Sequence, residues 1–279
     1  MLDGLIIKGV GGKYSVLTKN GIYICDARGL FRLDEIAPLV GDNVSISIVD
    51  ESKKIGYLME IYTRKNELIR PKIANVQQVV ITVAAQPAPN LAVLDSLLIY
   101  CEYIGVQTII CINKADLNSL EALQASYKMA LYDVFLVSAY SGLGLEDLRA
   151  VLEGKISVFA GPSGVGKSSI INALNSELQL ETGKLSHKTQ RGKHTTRSAT
   201  LLQLNQNTFI ADTPGFTSFN IDTIKKIELQ NYYREFLPYL GQCKYTKCLH
   251  SKEQDCKIIE QLGKTIDYGR WERYAKFIE

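Results

Sequence analysis

Ile156-Ser157-Val158-Phe159-Ala160-Gly161-Pro162-Ser163-Gly164-Val165-Gly166-Lys167-Ser168-Ser169 is the stretch on which the fold turns. Residues 156 to 160 read as a buried strand, and Ser169-Ile170-Ile171-Asn172-Ala173-Leu174 reads as the helix that follows. A glycine loop in that setting is a phosphate cradle. Gly161, Gly164 and Gly166 let backbone amides turn inward on phosphate oxygens, and Pro162, Ser163, Val165 and Ser169 complete the wrap. Lys167 neutralises β/γ charge, and the Ser168 hydroxyl is placed to ligate Mg²⁺.

Such a loop serves any nucleoside triphosphate, so the base is read elsewhere. The apolar strand Thr108-Ile109-Ile110-Cys111-Ile112 ends in Asn113-Lys114-Ala115-Asp116. The Asp116 carboxylate can accept from guanine N1-H and the exocyclic amine, whereas adenine would leave it unpaired. Lys114 would lay its stem along the base. A second strand end, Val134-Phe135-Leu136-Val137 before Ser138-Ala139, can offer an amide to guanine O6. A third strand, Thr208-Phe209-Ile210-Ala211, leads into Asp212-Thr213-Pro214-Gly215. There Asp212 would hold Mg²⁺ through water and the Gly215 amide would bond the γ-phosphate. The expected ligands are GTP or GDP with Mg²⁺. The base motifs precede the phosphate motifs, so the nucleotide domain reads as circularly permuted. A cut at a surface loop preserves every core contact.

Between the phosphate loop and Asp212 lies Gln190-Arg191-Gly192-Lys193-His194-Thr195-Thr196-Arg197, a polar, basic switch I candidate. Thr195 or Thr196 would complete Mg²⁺ coordination, with Thr196 favoured. Phe216 follows Gly215 where a water-orienting glutamine stands in Ras-like GTPases, and it cannot orient water. His194 is then the candidate for placing the attacking water once a partner orders the loop.

Cys243-x4-Cys248-x-His250-x5-Cys256 supplies three thiolates and one imidazole within 14 residues, the spacing of one tetrahedral, structural Zn²⁺. Cys25, Cys101 and Cys111 stand in apolar runs and read as core.

Motif order, the Gly192-x-His194-Thr195-Thr196 segment, a β-rich start and the Cys/His cluster together resemble the ribosome small subunit-dependent GTPase A family of circularly permuted GTPases. The resemblance spans essentially the whole chain. It implies an OB-fold β-barrel before the GTPase domain, a helical zinc-binding domain after it, and a water-positioning role for His194. It further implies a GTP hydrolase that assists late maturation of the small ribosomal subunit. Its partners would be that subunit and its rRNA, with no DNA and no membrane, and the protein a cytoplasmic monomer.

The 279 residues suffice for a sizeable α/β core flanked by smaller modules, expected at 1–65, 66–222 and 223–279. Residues 1 to 65 alternate apolar and polar with turn signals at Gly11-Gly12, Asn20-Gly21, Arg28-Gly29 and Gly41-Asp42-Asn43, giving five short strands. Tyr14, Tyr23, Phe31, Arg28 and Arg32 can either stack on RNA or fill the barrel. Leu91, Leu94, Leu98, Cys101 and Ile104 mark one helix face, and alternating strand and helix signals imply a parallel sheet. No apolar run approaches the roughly 18 residues of a membrane span. The net charge of +3 is too small to identify a nucleic-acid partner. Basic residues do concentrate at 64 to 72 (Arg64, Lys65, Arg70, Lys72), 184 to 197 and 244 to 257.

Overall fold

Alternation in the first 65 residues produces β1 (Leu2–Val10), β2 (Lys13–Thr18), β3 (Gly21–Ala27), β4 (Asn43–Asp50) and β5 (Ile55–Ile61). The structure is a computed structural model describing residues 1–27, 37–69, 71–179, 199–212 and 221–279. The five strands run in the order β1-β2-β3-β5-β4, and β1 pairs again with β4, which closes a barrel. Ile6, Val16, Tyr23, Cys25, Val44, Ile46 and Leu58 fill its interior with no exposure. Each buried aliphatic side chain contributes roughly 1.5–3 kcal/mol. Tyr23 is therefore a core residue rather than an RNA-stacking one, and its hydroxyl donates to Glu51 at 2.8 Å. Gly41 has φ +91°, and a Cβ there would lie 2.1 Å from the Ala74 carbonyl oxygen, so that turn requires glycine.

Past the barrel come β6 (Glu67–Leu68), β7 (Ile73–Ala74), β8 (Gln78–Ala84), α1 (Leu91–Tyr103), β9 (Gln107–Asn113), α2 (Glu121–Met129), β10 (Asp133–Leu136) and α3 (Leu145–Leu152). They are followed by β11 (Ile156–Ala160), α4 (Lys167–Gln179), β12 (Thr200–Asn205), β13 (Thr208–Asp212), α5 (Lys257–Glu260) and α6 (Tyr268–Ile278). Contacts group the chain into two units, 1–78 with 151–159 and 174–216, and 79–150 with 160–173 and 217–279.

In the first unit the barrel strands continue through β12 and β13 to β11. β11 and β13 are parallel, but β12 returns antiparallel to β13, so the expected all-parallel sheet is mixed. The basic linker also divides here. Arg64 is consumed by Asp42 at 2.7 Å and Glu67 at 2.6 Å, while Lys65 and Lys72 are exposed.

In the second unit β10 and β9 are parallel, with β8 beside β9. Asn90 caps α1 by accepting from the Ala92 and Val93 amides. Sequence periodicity gave α1 one apolar face, but residues 94 to 101 are all buried. Asp95 is among them, fully enclosed. It accepts from Tyr127 Oη at 2.7 Å, Arg270 Nη1 at 2.5 Å and Arg273 Nε at 2.5 Å. Arg270, itself 1 % exposed, also pairs with Glu235 at 2.6 Å and lies over the Tyr127 and Tyr233 rings. Burial pulls the Arg270 pKa down, but Asp95 and Glu235 outweigh it and hold the group well above the ordinary guanidinium range. Two arginines against two carboxylates balance the buried charge.

Residues 226 to 232 form a 3₁₀ helix, and a second short one spans 237 to 239. Tyr233, Phe236, Ile258, Ile266 and Tyr274 make the core of this region. Cys25, Cys101 and Cys111 are buried, as expected. Among the described residues no helix is long and apolar enough to cross a membrane.

Candidate functional site

The glycine loop joins β11 to α4, and its conformation excludes side chains at two positions. Gly161 has φ +122°, and a Cβ would meet the Thr82 carbonyl oxygen at 2.2 Å; Gly166 has φ +92°, and a Cβ would meet Asn113 Nδ2 at 2.2 Å. α4 begins at Lys167, so its first amides have no intrahelical acceptor and are free to meet an anion. Lys167 Nζ donates to the carbonyls of Gly161 and Pro162, both at 2.7 Å. Burial lowers its pKa. Ser163, Gly164, Ser168 and Ser169 are exposed, and Val165 is buried beneath the loop.

The base motif sits at the end of β9 and is tied to that loop. Asn113, 2 % exposed, donates from Nδ2 to the Val165 carbonyl at 2.8 Å and accepts at Oδ1 from the Ala139 amide at 3.2 Å. Two atoms of one side chain thus hold together three stretches that the sequence separates. Lys114 adopts φ +61° and donates from Nζ to the carbonyls of Gln86 at 2.6 Å and Gly164 at 3.0 Å, laying its stem along one wall. The Ala115 amide donates to Val137 O at 3.0 Å, which docks the motif against the strand end before Ser138. Asp116 is exposed, and its carboxylate makes no hydrogen bond among the described residues. Asn113, Lys114, Asp116, Ser138, Ala139, Gly166 and Ser169 surround a cavity of about 520 Å³, which Leu117 and Tyr140 also line. The sequence reading named neither of those two, since no motif includes them.

Asp212 is the last residue of β13, opposite Thr200. His194, Thr195, Thr196, the rest of switch I, Thr213, Pro214, Gly215 and Phe216 lie outside the described residues, as do Arg28, Phe31, Arg32 and Arg70.

Cys243, Cys248, His250 and Cys256 converge, with all four ligand atoms within 4.8 Å of one another. Cys243 Sγ is 3.8 Å from Cys256 Sγ, close to the roughly 3.8 Å edge of a tetrahedron with Zn–S of about 2.3 Å. His250 Nδ1 faces the thiols, at 3.5 Å from Cys243 Sγ and 3.3 Å from Cys256 Sγ. Its Nε2 donates to Gln230 Oε1 at 2.5 Å, which leaves the Nδ1 lone pair for a metal. Three thiols, one oriented imidazole and no open position fit a structural Zn²⁺. Gln230 gave no signal in the sequence.

The family model described as RsgA GTPase matches residues 61–222, and that of the RsgA N-terminal domain matches residues 3–58. The chain is 45 % identical over 279 residues to a protein of Ruminiclostridium cellulolyticum named small ribosomal subunit biogenesis GTPase RsgA, covering 98 % of this chain and 92 % of that one. A protein of the same name from Caldanaerobacter subterraneus is 44 % identical, covering 99 % and 95 %. Among solved structures, YjeQ from Thermotoga maritima superposes with a TM-score of 0.83 at 32 % identity, covering 99 % of this chain and 97 % of that one. YloQ, described as a circularly permuted GTPase, gives 0.81 at 35 % identity, covering 100 % and 94 %.

Proposed function

This chain belongs to the RsgA GTPase family, and from that membership we propose that it is a GTP hydrolase of small ribosomal subunit assembly. It docks on the subunit and its rRNA with GTP bound, assists late maturation, and leaves when hydrolysis resets its switches. It works as a cytoplasmic monomer of three modules, 1–65, 66–222 and 223–279.

The observation that carries the nucleotide assignment is the double tie from Asn113 to Val165 and Ala139. It brings the base-reading carboxylate of Asp116, the Ala139 amide and the glycine loop to one cavity, as a nucleoside triphosphate site requires. Lys167 leaves its carbonyl partners to meet β/γ oxygens. The α4 amides and the loop receive the phosphates, and Asp116 accepts from guanine. Ser168, Thr196 and Asp212 are the Mg²⁺ side of the site, where the ion adds charge neutralisation on the phosphates. Gly215 senses the γ-phosphate, and His194 places the attacking water once the subunit orders switch I. Cys243, Cys248, His250 and Cys256 hold Zn²⁺, which staples the last module.

The test is steady-state GTP hydrolysis with and without purified small subunits, with large subunits and Lys167→Ala as controls. Stimulation by small subunits alone, lost in Lys167→Ala, is expected. Equal turnover with every particle, and intact GTP binding, would instead make the nucleotide a structural ligand of an RNA-binding scaffold. His194→Ala is expected to abolish the stimulated rate while leaving GTP affinity unchanged; retention of stimulation would remove His194 from the mechanism.

A further inference from the structure

Tyr140 is 94 % exposed, an unusual position for a large ring in a loop that is otherwise held firmly. Its turn has little freedom. The Ala139 amide is fixed on Asn113, the Ser141 amide donates to Ser138 Oγ at 3.1 Å, and the Gly142 amide donates to Ser138 O at 2.9 Å. The Ser138 amide donates to Leu143 O at 2.9 Å. Gly144 closes the turn with φ +67°, where a Cβ would meet Leu136 O at 2.1 Å. The backbone thus holds the ring out at the mouth of the 520 Å³ cavity that Asp116 also lines. Leu117, 69 % exposed, lines the same cavity, and its amide is fixed on Lys114 O at 2.9 Å. Lys114 supplies a stem, Asp116 supplies the hydrogen-bonding edge, and Leu117 and Tyr140 line the same cavity while mostly exposed to water.

We propose that Tyr140, backed by Leu117, is the apolar wall on which the guanine base stacks, and that it sets how long the nucleotide stays bound. An aromatic face recovers its contact with a planar base while restricting only two side-chain torsions, so closing the site costs little entropy. Stacking on an aromatic ring is insensitive to the identity of the base. Asp116 therefore selects guanine and Tyr140 retains it. The inference rests on reading this cavity as the guanine site.

The experiment uses the full chain and N-methylanthraniloyl-GDP, with equilibrium titration and a chase for dissociation. Tyr140→Ala is expected to release the nucleotide about tenfold faster, with Kd raised about tenfold and the association rate within about twofold. Tyr140→Phe, which keeps the ring and loses the hydroxyl, is expected to behave as the parent within about twofold. Asp116→Asn is the control on the underlying reading and should lose GDP affinity and gain affinity for xanthosine diphosphate. Unchanged dissociation in Tyr140→Ala, with Asp116→Asn behaving as stated, overturns the stacking role alone. Retained GDP affinity in Asp116→Asn overturns the site assignment itself. If Tyr140→Ala instead lowers only subunit-stimulated turnover, the ring belongs to a docking surface and the stacking role is wrong.

Discussion

At the scale of single residues, Asn113 carries more of the site than its place in a base-reading motif suggests. Its amide group serves as both donor and acceptor within a nearly closed environment, bridging partners 52 and 26 positions away. Asn113→Ala removes both bonds and leaves the Val165 carbonyl buried without a partner, at a cost of roughly 1–3 kcal/mol. GDP affinity is expected to fall at least about tenfold, read by titration, with a melting temperature lower by several degrees. Gly166→Ala acts on the same junction from the other side, since its Cβ would occupy the space of Asn113 Nδ2 at 2.2 Å and its φ of +92° is strained for alanine. The same loss of GDP affinity is expected, checked by the same titration. The motif residues were legible because each has a distinctive chemical type at a distinctive spacing. The tie was not, because its partners are backbone atoms that any residue supplies.

At the scale of elements, the Cys/His segment and the 3₁₀ turn before it form one device. Gln230 orients His250 from outside the ligand set, while Trp271 Nε1 donates to the His250 carbonyl at 2.7 Å and Tyr274 Oη to that of Leu249 at 2.9 Å. Gln230→Ala is expected to weaken zinc binding about 10- to 100-fold, measured by competition with a chromophoric chelator. Gln230→Glu, which keeps an acceptor, should recover most of it. Stripping the metal is expected to raise amide exchange throughout 223–279, because the Tyr233, Phe236 and Tyr274 cluster is built around the ligand loop. The Cys/His ligand spacing announced this region in the sequence. The 3₁₀ form of Lys226–Tyr232 did not show, since seven residues are too few to repay an α-helical nucleus and tertiary packing chose the tighter turn. The mixed sheet was missed for a related reason: periodicity marks a strand without giving its direction, and β12 runs against β13.

At the scale of the whole molecule, permutation places base recognition before phosphate recognition along the chain, and this order was fully readable. The buried cluster of Asp95, Glu235, Arg270 and Arg273 was not, because periodicity placed Asp95 beside an apolar stripe with nothing to name partners 175 and 178 positions downstream. Asp95→Ala deprives both arginines of their shared carboxylate. The expected cost is roughly 3–5 kcal/mol, or a melting temperature lower by roughly 10 °C, measured calorimetrically on the full chain. The same cluster imposes a timetable on biosynthesis. At about 5–20 residues per second, roughly 9 to 35 seconds separate the synthesis of Asp95 from that of Arg270, 175 positions later. Until α6 emerges, α1 carries a carboxylate that burial would leave uncompensated, so a nascent chain cannot seal this core early. A message broken or a chain clipped ahead of residue 270 yields a product with a lasting defect at α1, open to the proteases that clear unfinished chains.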